Sequence, residues 1–208
     1  MNVKFFPLGV VDANCCVLCT EDKQGAVIDP GSYNAVLEKA IRESGIERLK
    51  YIICTHGHFD HTSGVGRLKE KYPEAIVVVC EPDAPALYDS FLSGAAVFGL
   101  ELYPCKADKC VNDGDTLSFG KSEISVIATP GHTLGSAVFY IESENLAFTG
   151  DTLFKNSVGR TDLYGGSYPQ LMNSLKKLKK LPPETVLICG HGESTTMERE
   201  LMYNSYLV

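Results

Sequence analysis

Three of this chain's five histidines fall in one short run, Thr55-His56-Gly57-His58-Phe59-Asp60-His61, with an aspartate among them. The other two, His132 and His191, each follow a glycine that closes an apolar run. Imidazole and carboxylate are borderline-to-hard donors that suit zinc and its neighbours. No histidine is left over for ordinary surface or core use, so the pattern points to a metal site. The placement of the donors constrains the fold further. His56 follows Tyr51–Cys54, His132 follows Ile124–Ala128, Asp151 follows Leu146–Thr149, and His191 follows Val186–Cys189. Each of these runs is strand-like and ends in a candidate ligand. Strand ends are rigid mounts for a coordination shell, and the loops they carry are where sites tend to be built. A satisfied core histidine explains one such placement and not the whole set.

The rest of the chain alternates short β-rich runs with helical periodicity. Val3–Pro7, Cys15–Thr20 and Ala26–Ile28 are predicted opening strands, the last stopped by Asp29-Pro30-Gly31. Val36, Leu37, Ala40 and Ile41 recur at helical spacing and predict a helix over Ala35–Ser44. A further strand is predicted at Ile76–Cys80, and helices at Gly66–Lys71, Tyr168–Lys180 and Thr196–Tyr203. Between Glu81 and Asp115, Pro82, Pro85, Gly94, Gly99 and Pro104 interrupt every pattern, which predicts a loop or cover near the site. The mixture predicts layered α/β architecture.

A net charge of -7 argues against a nucleic-acid partner, because a phosphate backbone calls for a basic face. Lys176, Lys177, Lys179 and Lys180 interleave with Leu171, Leu175 and Leu178 at helical spacing, so they form the solvated face of an amphipathic helix. No basic, apolar leader opens the chain and no apolar run reaches membrane-spanning length, which predicts a cytoplasmic protein with no membrane partner. Most of the eight cysteines sit in or beside apolar runs, where a reduced thiol behaves as a small hydrophobe. Cys16 and Cys19 are spaced as C-x-x-C, but on a strand they face opposite ways, which is poor geometry for chelation. Cys105 and Cys110 flank a polar stretch and are the better candidates for exposed thiols.

Taken in order, Thr55-His56-Gly57-His58-Phe59-Asp60-His61, Pro130-Gly131-His132-Thr133, Thr149-Gly150-Asp151-Thr152 and Gly190-His191-Gly192 resemble the metallo-β-lactamase superfamily, motif by motif. Ile28-Asp29-Pro30-Gly31 resembles that family's early strand-turn. The resemblance implies a single metallo-β-lactamase-type domain over residues 1–208, an α/β four-layer αββα sandwich with a metal site at one edge of two sheets. It implies that His56, His58 and His132 hold one divalent ion and that Asp60, His61 and His191 hold a second. Asp151 would bridge them. Asp60 and Asp151 are then the catalytic carboxylates. Zinc is the expected metal, and iron and manganese suit the same donors. Paired ions roughly 3.5–4 Å apart lower the pKa of shared water toward about 7, which implies a bridging hydroxide as nucleophile.

Within the superfamily, Asp151 at the bridging position speaks against lactamases that place a cysteine there. His58 argues against flavodiiron proteins, which resemble one another in having a glutamate. Gly150-Asp151-Thr152-Leu153-Phe154 followed by Gly159-Arg160-Thr161-Asp162 resembles the glyoxalase II (hydroxyacylglutathione hydrolase) group and its short bacterial relatives. That implies hydrolysis of a small-molecule thioester, whose thiolate leaves without strong general-acid help. The long members carry a C-terminal helical domain that helps grip glutathione. Here only residues 192–208 follow His191, so substrate contacts are expected from Arg160, Tyr164, Lys155 and the Glu81–Asp115 segment. The same Gly-Arg-Thr-Asp run resembles persulfide dioxygenases, in which His56, His132 and Asp151 would bind a single iron. A non-catalytic metal-binding module is the alternative of another class. It fits poorly, because a purely structural site closes its coordination positions.

Overall fold

The computed structural model describes residues 1–207, and its architecture follows from strands that are apolar on both faces. The first sheet runs in the order β1 (Asn2–Leu8), β2 (Ala13–Cys19), β3 (Gln24–Ile28), β4 (Arg48–Ile53), β5 (Ile76–Cys80) and β6 (Lys109–Val111). The second is built from β7 (Thr116–Phe119), β8 (Ser122–Ala128), β9 (Ala137–Ile141), β10 (Leu146–Gly150), β13 (Val186–Cys189) and β14 (Thr195–Thr196), in the spatial order β14-β13-β10-β9-β8-β7. The small hairpin β11 (Leu153–Phe154) and β12 (Ser157–Val158) stands apart from both sheets.

Strand β2 shows why two sheets and two helical layers form. Every residue of Ala-Asn-Cys-Cys-Val-Leu-Cys is buried. Cys16 and Leu18 point into the core between the sheets, where they join Ile53, Phe139 and Phe148. Cys15 and Val17 point outward, against Leu37 and Ile41 of α1 (Ala35–Glu43) and Leu68 of α3 (Val65–Lys71). A strand covered on both faces becomes a continuous apolar run. On the second sheet, Val138, Ala147 and Leu187 are covered by Leu175 and Leu178 of α4 (Tyr168–Leu178) and Met197 of α5 (Met197–Tyr203). The layers are therefore αββα, as expected. Helix α1 starts where the Asn34 side chain accepts from the Val36 and Leu37 amides at 2.9 and 3.2 Å, a standard N-cap. Along α4 the leucines are buried and Lys176, Lys177, Lys179 and Lys180 are exposed. All eight cysteines are free; Cys110 is exposed, Cys105 half-buried and the others buried. Among the described residues no helix is long and apolar enough to cross a membrane.

Strand direction places the site. Strands β3, β4 and β5 pair in parallel. Strand β10 is parallel to β13 and antiparallel to β9, which is antiparallel to β8, so β8, β10 and β13 all run the same way. Their C-terminal ends share one edge of the second sheet. The sequence misses β6, β7, the two-residue strands β11, β12 and β14, and the short helix α2 (Phe59–Thr62) that forms on the histidine run itself. Only Val111 of β6 is buried, so an edge strand this polar shows no periodicity. The Glu81–Asp115 segment is not wholly loop: it contains 3-10 turns at Glu81–Leu87 and Ala95–Phe98 before β6.

Candidate metal centre

Strand ends and the short helix α2 bring all seven predicted donors to one place. Donor atoms of His56, His58 and His132 lie within 4.8 Å of one another, as do those of Asp60, His61 and His191, and those of His56, His61 and Asp151. Asp151 lies between the first two groups. Its Oδ2 is 3.5 Å from His132 Nε2 and 3.7 Å from His191 Nε2, and its Oδ1 is 3.4 Å from His61 Nε2.

Outer hydrogen bonds decide which nitrogens carry protons. The Thr55 hydroxyl donates to Asp29 Oδ2 at 2.7 Å, so its remaining contact, 3.1 Å from His56 Nδ1, must be one it accepts. His56 Nε2 is therefore bare, and it is buried with no partner. His61 Nδ1 donates to Asp29 Oδ2 at 3.0 Å, and His132 Nδ1 donates to the Arg160 carbonyl at 2.8 Å. These two rings also turn their Nε2 atoms inward. Such outer partners fix tautomer and orientation in metal-binding histidines. Asp151 Oδ1 is likewise buried without a hydrogen bond. His56 Nε2 and Asp151 Oδ1 are thus buried lone pairs with no donor to satisfy them, and a cation among the cluster would do so. The donor set fits a metal.

The two halves differ electrically. Burial, reinforced by His132, pushes the pKa of His58 down to about 3, and burial also lowers that of His56. Burial pushes His61 the same way, but Asp151, Asp29 and Asp60 outweigh it and lift His61 to about 10. The Asp60 bond raises His191, and with His61 it holds Asp60 at about 2 against the opposing effect of burial. His56 and His58 are thus held neutral, while Asp60, His61 and His191 form a charge-paired group.

Two buried aspartates brace these halves. Asp29 takes the Thr55 amide at 2.7 Å as well as the Thr55 hydroxyl and His61. Asp83 accepts from the Gly57 amide and the Gly135 amide, both at 2.7 Å, and from the Thr133 hydroxyl at 2.6 Å. It ties the loop holding His56 and His58 to the loop holding His132. The sequence marks Asp29 only through its turn, Asp-Pro-Gly, and gives no signal for Thr55 or Asp83.

The whole-chain comparisons agree with this geometry. Residues 8–191 match the family described as the Metallo-beta-lactamase superfamily. The chain belongs to that superfamily. It is 33% identical over 210 residues to hydroxyacylglutathione hydrolase GloC of Haemophilus influenzae, covering 100% of this chain and 98% of that protein. The crystal structure of the BLEG-1 B3 metallo-beta-lactamase superposes with a TM-score of 0.93 at 33% identity, covering 99% of both chains. TTHA1623, solved in a di-iron-bound form, superposes with a TM-score of 0.86 at 34% identity, covering 97% of this chain and 98% of that one. Superfamily membership and a donor cluster able to bind metal are together those of a metal-dependent hydrolase.

Above the donor cluster opens a cavity of about 620 Å³ whose lining includes His58, Asp60, His132, Asp151 and His191. Arg160 and Tyr164 also line it. The Arg160 guanidinium is exposed and grips Asp162 through two bonds of 2.7 Å, while its carbonyl holds His132. Lys155 is paired with Glu193 instead.

Proposed function

We propose that this superfamily member is a thioester hydrolase of the hydroxyacylglutathione type with two divalent ions, His56, His58 and His132 holding one and Asp60, His61 and His191 the other. The observation that carries this reading is the doubled donor cluster at the cavity floor, with Asp151 set between its halves. Bound there, divalent ions would supply Lewis acidity that activates water near neutral pH and polarises a carbonyl. The chain's own residues do the rest. Asp151 would lie between the two ions, and Asp60, held at about 2 against burial by its bond to His191 Nε2 at 3.2 Å, stays ionised as a charged ligand.

The leaving group follows from the same charges. Asp60 and Asp162 are both held at about 2, Asp162 by its bond to Arg160, so neither can protonate a departing group. A thiolate leaves without that help, whereas an amine needs it. Arg160 and Tyr164 stand at the cavity wall as substrate contacts. A net charge of -7 supports a small-molecule partner over nucleic acid. A cytoplasmic location remains part of the same proposal.

Thiol release from S-lactoylglutathione by the zinc-, iron- or manganese-loaded protein, against a chelator-treated control, tests this directly. Metal-dependent release is the expected result. No release with any of the three metals refutes the proposal, and oxygen consumption with a persulfide and iron would support the dioxygenase alternative.

A further inference from the structure

The cavity over the donor cluster has two apolar walls that no other described residue covers. One is the segment around the 3-10 turn Ala95–Phe98, bracketed by Gly94 and Gly99 in the left-handed conformation that glycine adopts without strain. On it Phe91, Val97 and Phe98 are 67%, 77% and 65% exposed. Phe98 packs on Phe59 with ring centroids 5.0 Å apart, and Phe59 lies between the donors His58 and Asp60, so this wall is tied to the cluster. The opposite wall is Leu163 and Tyr164, and Tyr164 faces Phe91 at 6.4 Å between ring centroids. Contiguous exposed apolar surface of this kind marks a binding surface.

The charges around the walls narrow what binds there. Among the described residues the only guanidinium or ammonium group lining the cavity is that of Arg160, whose Nε and Nη2 both donate to Asp162. Asp60 and Asp151 belong to the donor cluster at the cavity floor and Asp162 is paired with Arg160, so the walls themselves, Phe91, Val97, Phe98, Leu163 and Tyr164, carry no charge. A small hydroxyacyl group would leave the aromatic walls wet, whereas a large uncharged one would cover them.

We propose that these walls form an acyl pocket that selects thioesters with aromatic or branched aliphatic acyl groups over small hydroxyacyl groups. The inference rests on the thioester-hydrolase reading above and names its substrate class. Burying a ring against such walls is expected to raise kcat/KM by about tenfold or more.

The test holds the thiol constant and compares S-phenylacetylglutathione with S-lactoylglutathione. The expected result is a ratio of kcat/KM of about ten or more for phenylacetyl, falling several-fold in Phe98→Ser and Phe91→Ser. Both side chains are exposed, so the variants should fold, and a merely structural loss would slow both substrates alike and leave the ratio where it was. A wild-type ratio near one, or a ratio that neither variant moves, overturns the proposal. Saturation-transfer NMR with phenylacetamide and lactamide on the metal-free protein separates the two readings. Phenylacetamide contacts that weaken in Phe98→Ser, in a protein that cleaves no thioester, would sink the hydrolase reading and uphold the pocket. No preference for phenylacetamide would sink the pocket even in an active hydrolase.

Discussion

Replacing Asp83 with alanine should weaken metal binding in the His56–His58–His132 half of the cluster and spare the other half. The carboxylate is 5% exposed and accepts bonds from the Gly57 amide, the Gly135 amide and the Thr133 hydroxyl. Thr133 keeps an alternative partner in Ser136 Oγ at 2.7 Å, so two backbone amides lose their acceptor. Each orphaned buried donor costs about 1–3 kcal/mol, giving about 2–6 kcal/mol for the pair. Burial already pushes the Asp83 carboxyl pKa up, so removing the charge relieves part of that cost. The expected net loss is about 2–4 kcal/mol, and at roughly 2–4 °C per kcal/mol for a chain of this size that lowers Tm by about 5–15 °C. The loops cannot simply close the gap. A Cβ at Gly135 would lie 2.7 Å from the Asp83 side chain, which shows how tightly that loop is already seated. Losing an outer partner typically weakens metal binding about 10–100-fold. Asp83→Asn should fall between wild type and alanine, because one amide oxygen remains while the new NH₂ faces a donor. Competition against a chromophoric chelator measures the two affinities, and calorimetry gives Tm. If Tm falls but both affinities hold, or if both sites weaken equally, Asp83 does not act through the first histidine half.

Four further outcomes are expected. His58→Ala or Asp60→Ala should abolish metal-dependent hydrolysis in a protein that remains folded by circular dichroism; full activity in either would refute the two-ion assignment. Gly190→Ala should lower bound metal per chain, measured by elemental analysis, because its Cβ would sit 2.1 Å from Asp151 Oδ1 and 2.9 Å from His61 Cε1; unchanged metal content would count against Asp151 as a shared ligand. Metal binding should release more protons from the charge-paired half, since His61 is raised to about 10 and His191 is also raised while His56 and His58 are lowered. A site that must shed protons gains affinity as pH rises, so between about pH 6 and 9 this half should tighten more steeply than the other, and titration calorimetry in buffers of different ionisation enthalpy would expose the opposite result. Arg160→Ala should leave Tm and metal content unchanged, because its pair with Asp162 is exposed and His132 is held by its backbone carbonyl; loss of metal would contradict that.

The layers were legible because a strand buried on both faces must be an unbroken apolar run, as Ile76–Cys80 and Val186–Cys189 are. Their limits in the structure match the apolar runs in the sequence. Edge strands carry no such mark. In β7 only Leu117 and Phe119 are buried, and two alternating positions beside a Gly-Asp turn are too few to reveal a strand. The convergence of the donors was legible for a chemical reason. Few side chains have bare lone pairs suited to metals, and five histidines with two aspartates at or just after strand ends leave little choice.

What surrounds the donors was not legible, because it is chosen by the approach of segments far apart in the chain. Asp83 lies 50 residues from Thr133 and 26 from Gly57, inside a proline-broken stretch whose local pattern shows no element. Arg160 illustrates the same limit from the other side. Its side chain draws attention in a Gly-Arg-Thr-Asp motif, yet the group that holds His132 is its carbonyl, which any residue would supply. The sequence therefore identifies which atoms can bind metal, while the protonation state that lets them do so depends on Asp29, Thr55 and one backbone carbonyl. Conservative changes at Asp29 or Thr55 should then alter metal affinity with every ligand still in place.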